Sequence, residues 1–168
     1  NLYVADVRNH KIRQIVISSG VVTTLAGSGD EGFADDNGTA ASFNDPAEIT
    51  TDGTNLYVAD RDNHKIREIV ISSGVVTTLA GSGTATFADG TGTSASFNKP
   101  RGITSEGTNL YVADRNNNKI RKIDLTVTET ADLHLHNLDD DFPDTPEIVV
   151  SGLLSNSGQF SAQDSNLT

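Results

Sequence analysis

Two histidines in the C-terminal part of the chain have the spacing of metal ligands. His134 and His136 are separated by one residue, and Asp132 lies two residues before His134. Residues i and i+2 of a β-strand point to the same face, so these three side chains would lie together. Two imidazoles and a carboxylate suit Zn²⁺ or iron. A half-exposed strand with alternating polar residues gives the same pattern, and we favour that interpretation.

Acidic residues beyond these histidines form a second possible ion site. Asp139, Asp140, Asp141 and Asp144 supply oxygen ligands of the kind that Ca²⁺ prefers, but they lack the regular spacing of a calcium loop. An acidic linker is the simpler interpretation. We therefore predict no cofactor for this chain, with Ca²⁺ or Zn²⁺ as the alternative.

Sequence motifs for catalysis are absent or incomplete. The chain has no Cys, no Gly-x-Ser-x-Gly and no His-Glu-x-x-His. Residues 27–32 match Gly-x-Gly-x-x-Gly, but no helical pattern follows them, and Asp30 and Glu31 would repel a pyrophosphate. No catalytic residue is predicted.

The most regular spacing in the chain belongs to a long repeat. Asn-Leu-Tyr-Val-Ala-Asp begins at positions 1, 55 and 109, and Asn-His-Lys-Ile-Arg or Asn-Asn-Lys-Ile-Arg follows each copy. A fixed period of this size indicates a repeat architecture. We divide the chain into repeats 1–54 and 55–108, a partial repeat 109–125, and a segment 126–168 that contains acids but no Lys or Arg.

Each repeat contains short apolar runs bounded by turn residues. Runs at 2–6, 11–17, 21–26 and 49–51 predict strands, with turns at 18–20 and at Asp52-Gly53, which leads back into the next Leu-Tyr-Val. No segment has helical periodicity, and the runs are apolar on both faces, as in strands covered on two sides. We predict an all-β fold of propeller blades with four antiparallel strands each, in which Val4 and Ile12 are core residues.

Residues with recurring charge are expected to be structural. Asp6, Asp60 and Asp114 each end the second strand of a blade, and we expect them to accept backbone N–H groups in the adjacent turn. The arginines that recur seven residues later are expected to pair with carboxylates within or between blades. His10 and His64 have Asn118 as their third counterpart, which favours a packing or hydrogen-bonding role.

The repeated motifs resemble the NHL repeat, and residues 21–27 with Phe43-Asn-x-Pro46 resemble its long bacterial form. The resemblance covers residues 1–125 and implies propeller blades, usually six in this family. Two and a half blades are fewer than the roughly four to eight of a closed propeller. We therefore expect a fragment, an open arc whose apolar ends meet the remaining blades of a longer chain or self-associate. The long form also suggests an extracellular or cell-surface protein.

The first two repeats differ at 14 of 54 aligned positions, and we place 11 of these at one face of the blades. That face contains the loops between the second and third strands and the crossovers between blades. Such variation is typical of a recognition surface, although longer loops also drift without selection. The charged residues predicted for this binding face are Arg8, Asp45, Glu48, Arg61, Asp62, Lys99, Arg101 and Arg115.

Glu48 occupies the position of Gly102, near the presumed central channel. A carboxylate there could bind a cation or an amine, or could be solvated. The NHL resemblance implies a non-enzymatic scaffold that binds protein or carbohydrate. RNA is disfavoured because acids and bases alternate on the predicted face. The alternative is part of a metal-dependent lyase or hydrolase with its site in the channel. No apolar run reaches the roughly 18–20 residues of a membrane span.

Overall fold

Ten short strands and five single-turn 3-10 helices make up the part of the chain that the computed structural model describes, residues 1–126. The strands are β1 (Leu2–Asp6), β2 (Lys11–Ile15), β3 (Val22–Ala26), β4 (Pro46–Thr51), β5 (Asn55–Asp60), β6 (Lys65–Val70), β7 (Val76–Ala80), β8 (Pro100–Glu106), β9 (Asn109–Asp114) and β10 (Lys119–Asp124). The helical turns are Val7–Asn9, Gly38–Ala40, Arg61–Asn63, Gly92–Ser94 and Arg115–Asn117. None of these turns is long and apolar enough to cross a membrane.

The strands form three antiparallel meanders in chain order. The central sheet is complete, with the order β4-β5-β6-β7, and β1-β2-β3 and β8-β9-β10 flank it. The three strands that contain Leu-Tyr-Val lie in three different sheets. The prediction of an all-β fold built from propeller-type blades is therefore confirmed, and the blades form an open set.

The boundaries of the sheets do not coincide with the boundaries of the sequence repeats. The last strand of repeat 1–54, β4, pairs with β5 of the following repeat, and Thr51 lies opposite Leu56. The side chain of Asp52 closes this hairpin by accepting the N–H groups of Thr54 and Asn55 at 2.8 and 2.7 Å. The predicted Asp-Gly hairpin is confirmed, and one blade therefore spans residues 46–80.

Two apolar cores separate the three sheets, and both join the same pair of surfaces. One surface, the Tyr face, carries the Tyr and Ala of the second strand and the Ile of the third. The other, the Leu face, carries the Leu and Val of the second strand. The first core joins Tyr3, Ala5 and Ile12 to Leu56 and Val58, and the second joins Tyr57, Ala59 and Ile66 to Leu110 and Val112.

The outermost faces of the first and third sheets are partly exposed. Leu2 and Val4 are 54% and 41% exposed, whereas their counterparts Leu56 and Val58 are fully buried. The expectation that Val4 is a core residue is therefore wrong, because no sheet covers the Leu face of β1 within residues 1–126. Ile12 is fully buried, as expected. Asp132, His134, His136 and the rest of segment 127–168 lie outside the described residues.

Candidate functional site

The turns between the second and third strands lie at the same end of the sheets as the starts of the first strands. Pro46, the first residue of β4, pairs with Asp60, the last residue of β5. We call this end the loop face; it comprises residues 7–10, 44–48, 61–64, 98–102 and 115–118. Each turn ends on a left-handed residue, which is His10, His64 or Asn118 at φ 51–56°. Asn and His tolerate this conformation better than most residues.

Four of the predicted site residues form a row of side chains with alternating charge on the loop face, which we call the charge row. Arg61 donates to Asp45 through Nη2 and to Asp62 through Nε, the latter at 3.0 Å. The ammonium of Lys99 lies 3.5 Å from the same Asp62 oxygen. The hydrogen bond from Arg61 lowers the pKa of Asp62, and the same contact raises the pKa of Arg61. The structure thus brings together residues from two crossovers and the turn between them.

Two histidines hold the backbone of two residues in the charge row. Asp45 and Lys99 both have positive φ, 50° and 53°. Their N–H groups donate to Nδ1 of His10 and His64, both at 3.1 Å. Each contact requires an unprotonated Nδ1, and burial lowers the pKa of His64. The hydrogen-bonding role expected for the histidines is confirmed, but their partners could not be identified from the sequence.

The remaining predicted site residues do not belong to the charge row. Arg8, Arg101 and Arg115 are exposed, and within residues 1–126 no ion pair joins them to a carboxylate. Glu48 is also exposed and extends over the neighbouring sheet. A Cβ built on Gly102 would lie 3.4 Å from the Glu48 carboxylate.

Glu48 borders an open cleft of about 370 Å³ that also contains Tyr111, Ala113 and Ile120. Within residues 1–126 no group of three or more His, Asp or Glu side chains could hold a metal ion. The carboxylate of Glu48 therefore has apolar neighbours in the cleft, and the described part of the chain places no set of further ligands around it.

The recurring aspartates hold the crossovers in place. Asp60 accepts the N–H of Asn44 through one oxygen, and the side chains of Asn63 and Arg67 through the other, each at 2.8 Å. Asp114 repeats this arrangement with the N–H of Asn98. The expectation that these aspartates accept backbone N–H groups of their own turn is wrong for Asp60 and Asp114, because their backbone donor comes from the crossover that precedes the blade.

Arg67 completes this clamp. Its side chain is fully buried, and it donates to the carbonyl of Ala34 and to the Asp35 carboxylate, both at 2.7 Å. The guanidinium lies between the rings of Phe33 and Phe43, at 4.8 and 5.1 Å from their centroids. The predicted pairing of the recurrent arginines with carboxylates within or between blades is confirmed, and the partners are the aspartate of the same blade and, for Arg67 and Arg121, an aspartate of the preceding crossover. The aromatic partners were missed, although both phenylalanines recur with the repeat.

Positions 36 and 37, which the repeat comparison placed at the recognition face, lie beside the outer strand of the next blade. The Asn37 side chain donates to the carbonyl of Ser73 at 3.0 Å, and the Asp36 carbonyl accepts the N–H of Val76 at 2.8 Å. The crossover therefore runs along the outer strand of the next blade and meets its hairpin. The placement of positions 36 and 37 on the variable face is wrong for this reason, and the variation is less concentrated than the repeat comparison indicated.

No family model matches the chain. Among curated proteins, NHL repeat-containing protein 2 of Bos taurus is 37% identical over 136 residues, which is 74% of this chain and 19% of that protein. Its Homo sapiens counterpart is 33% identical over 160 residues, 88% of this chain and 22% of that protein. The chain thus spans about a fifth of the length of these relatives. These animal relatives do not support the expected bacterial form.

Solved structures share the arrangement of sheets. A structural genomics protein of unknown function from Bacteroides thetaiotaomicron matches with a TM-score of 0.66 and 29% identity, over 71% of this chain and 31% of its own. An auxiliary nutrient binding protein from Bacteroides ovatus matches with a TM-score of 0.61 and 27% identity, over 71% of this chain and 33% of its own. Because motifs, fold and relatives agree, the chain belongs to the NHL-repeat β-propeller family.

Proposed function

We propose that this chain is a non-enzymatic binding scaffold whose loop face receives a protein ligand, with a carbohydrate ligand as the alternative. The observation that supports this proposal is the charge row, formed by Asp45, Arg61, Asp62 and Lys99. Both crossovers and the intervening turn contribute to it, so the charges keep fixed positions relative to one another.

The backbone beneath these charges is held by contacts that do not involve them. The histidine contacts fix Asp45 and Lys99, and the buried clamp of Asp60 and Arg67 holds the crossover. Surface side chains on such a rigid support can change without loss of the fold, as positions 45 and 99 show by carrying opposite charges in the two repeats. A scaffold with exchangeable recognition residues has this organisation.

Charges of both signs in a fixed pattern favour a protein over a carbohydrate ligand. Complementary charges steer association and determine register at protein interfaces, whereas a neutral sugar offers nothing to which opposite charges could be matched. The similarity to an auxiliary nutrient binding protein supports a binding role in general terms.

The test is selection of displayed peptides on the immobilised chain, followed by affinity measurement on a loop-face variant. The variant carries Asp45→Asn, Arg61→Gln, Asp62→Asn and Lys99→Gln, which remove the charges and leave polar side chains of equal or smaller size. We expect selected peptides to bind this variant at least about tenfold more weakly, since charge pairs that are matched across an interface contribute on this scale. Binding to the unsubstituted chain should also weaken as salt rises.

The matched control places charge on the opposite hairpins. Ser18→Asp and Ser72→Asp alter exposed positions that are identical in the two repeats. Peptides that bind this control as well as the unsubstituted chain support the proposal. Peptides that lose affinity only for the hairpin control would contradict it, and exclusive binding to an array of neutral glycans would favour the carbohydrate alternative.

A further inference from the structure

The second and third sheets differ in charge at the loop face. We call residues 44–48 with 61–64 the second corner and residues 98–102 with 115–118 the third corner. Each corner contains the start of the first strand of its sheet and the turn after its second strand. The second corner has three acids and one Arg, whereas the third corner has three bases and no acid. Equivalent parts of the backbone therefore carry charge of opposite sign.

Four substitutions produce this difference, and at each of them the third corner is the more positive. Asp45, Ala47, Glu48 and Asp62 of the second corner correspond to Lys99, Arg101, Gly102 and Asn116 of the third. Undirected drift would give changes of both signs. The shared direction therefore indicates that the third corner is adapted to one kind of ligand.

The strand pairing brings the three bases of the third corner together. Pro100 pairs with Asp114, so Lys99 and Arg101 lie on either side of one residue of this pair and Arg115 follows the other. The register advances two residues along β8 for one along β9, which makes Arg101 the extra residue of a bulge. Bulges are frequent beside functional sites because they redirect a side chain. The corner thus has the geometry of a compact cationic site.

The cations of the third corner are available to a ligand. Arg101 and Arg115 are exposed, and no carboxylate of residues 1–126 pairs with either of them. Lys99 contacts Asp62 at 3.5 Å but keeps a side-chain exposure of 43%. Arg61, the counterpart of Arg115, is by contrast compensated by two carboxylates. The third corner, unlike the second, therefore presents uncompensated guanidinium groups.

We propose that the third corner binds an acidic segment of a separate protein, with Arg101 and Arg115 each holding a carboxylate of Asp or Glu. This inference rests on the proposed function and names the chemistry of the ligand. A guanidinium can bind a carboxylate through two parallel hydrogen bonds, which an ammonium cannot do. A short acidic segment fits better than a nucleic acid, because a long polyanion would meet the acids of the second corner on a chain of net charge -11.

The test uses random displayed peptides that are selected on the immobilised 168-residue chain. We expect Asp and Glu to be enriched in the selected peptides. Arg101→Gln combined with Arg115→Gln should weaken their binding at least about tenfold. Arg101→Lys combined with Arg115→Lys should retain part of the affinity, because the charges remain. All four substitutions alter exposed positions, and circular dichroism checks that the variants fold.

Arg8→Gln is the matched control. Arg8 is an exposed arginine of the loop face outside the third corner, and no ion pair holds it within residues 1–126. Its substitution should leave the affinity of the acidic peptides unchanged, whereas Arg101→Gln and Arg115→Gln should each lower it when introduced alone. An equal loss in the control would mean that net charge alone attracts the peptides, and it would overturn the proposal.

Other results separate this inference from the proposed function. Peptides that need the charge row but bind the Arg101 and Arg115 variant normally, or that are not enriched in acids, would overturn the inference and leave the proposed function intact. Failure to select any peptide would refute both. Tighter binding of a single-stranded DNA oligonucleotide than of the acidic peptides would also overturn the inference, since it would assign the corner to nucleic acid.

A last variant tests whether acids of the same chain fill the corner. Asp139→Asn, Asp140→Asn and Asp141→Asn remove three successive carboxylates from the chain. We expect this variant to bind the acidic peptides as the unsubstituted chain does. Markedly tighter binding would mean that these residues compete for the corner, and it would overturn the assignment to a separate protein.

Discussion

Replacement of Arg67 by Ala should destabilise the fold far more than the same replacement of Arg13. The two arginines occupy equivalent positions in successive repeats and differ only in what surrounds them. Arg67 is fully buried and pairs at 2.8 Å with Asp60, which is buried as well. Arg13 is 30% exposed and pairs with Asp6 at 3.2 Å.

The expected costs follow from these surroundings. Removal of one partner from a buried ion pair costs about 3–5 kcal/mol, because the other charge stays buried without compensation. A partly exposed pair contributes roughly 0–1 kcal/mol. Arg67→Ala should therefore cost at least about 2 kcal/mol more than Arg13→Ala. Loss of the contacts of the Arg67 guanidinium with the rings of Phe33 and Phe43 adds to this difference.

Urea unfolding at neutral pH measures the two costs, provided that the dependence of free energy on urea is the same in both variants. If Arg67→Ala does not fold, Arg67→Lys retains the charge, and the comparison with Arg13→Lys is made instead. Equal destabilisation at the two positions would refute the reasoning, since it would mean that burial and the crossover contacts contribute nothing.

The penalty at Arg67 should also depend on pH. Burial raises the pKa of Asp60 even while the guanidinium of Arg67 acts to lower it. Without the guanidinium the folded state holds the Asp60 proton still more strongly than the unfolded chain does, so relative stability rises as pH falls. The cost of Arg67→Ala should therefore be smaller near pH 5 than near pH 8.

Three further changes test other parts of the structure. Ile12→Ala should cost about 2–5 kcal/mol in urea unfolding, whereas Val4→Ala should cost less than about 1 kcal/mol, since only Ile12 is fully buried. The lowered pKa of His64 means that the unfolded chain takes up the proton first, so stability present above about pH 6.5 is lost as pH falls through the folded pKa. His64→Asn should remove that loss, as measured by thermal unfolding at several pH values. Glu48→Gly should change the unfolding free energy by no more than about 1 kcal/mol, because Glu48 is exposed, and a larger loss would contradict its placement.

The repeated sequence made the fold predictable. The period, the Asp-Gly hairpin and the apolar runs together indicate four strands per period, and the structure has them. The turn at residues 16–20 ends β2 at Ile15 because the Val16 carbonyl accepts the N–H groups of Ser19 and Gly20. Propensity alone continued that strand to residue 17. The offset between repeat and blade was already implied by the hairpin, which joins strands on either side of the repeat boundary.

The site was predictable in composition but not in connectivity. The charge of Asp45, Arg61, Asp62 and Lys99 marked them as surface residues, yet nothing in one repeat shows that they contact each other across two crossovers. The path of the crossover was the main unknown. Its long connection has no periodicity, and its course depends on hydrogen bonds with the next blade, such as that between Asn37 and Ser73.

The offset of blade and repeat has a consequence for how such chains lengthen. In the second and third sheets the aspartate and the arginine anchor the connection from the preceding sheet, so one period supplies the residues that hold the crossover of the period before it. Duplication of one period therefore leaves each connection anchored, whichever residue the genetic breakpoint falls on. Unequal recombination between tandem copies can add or remove whole blades without orphaning a buried carboxylate, which gives near-identical neighbouring repeats a physical route to arise.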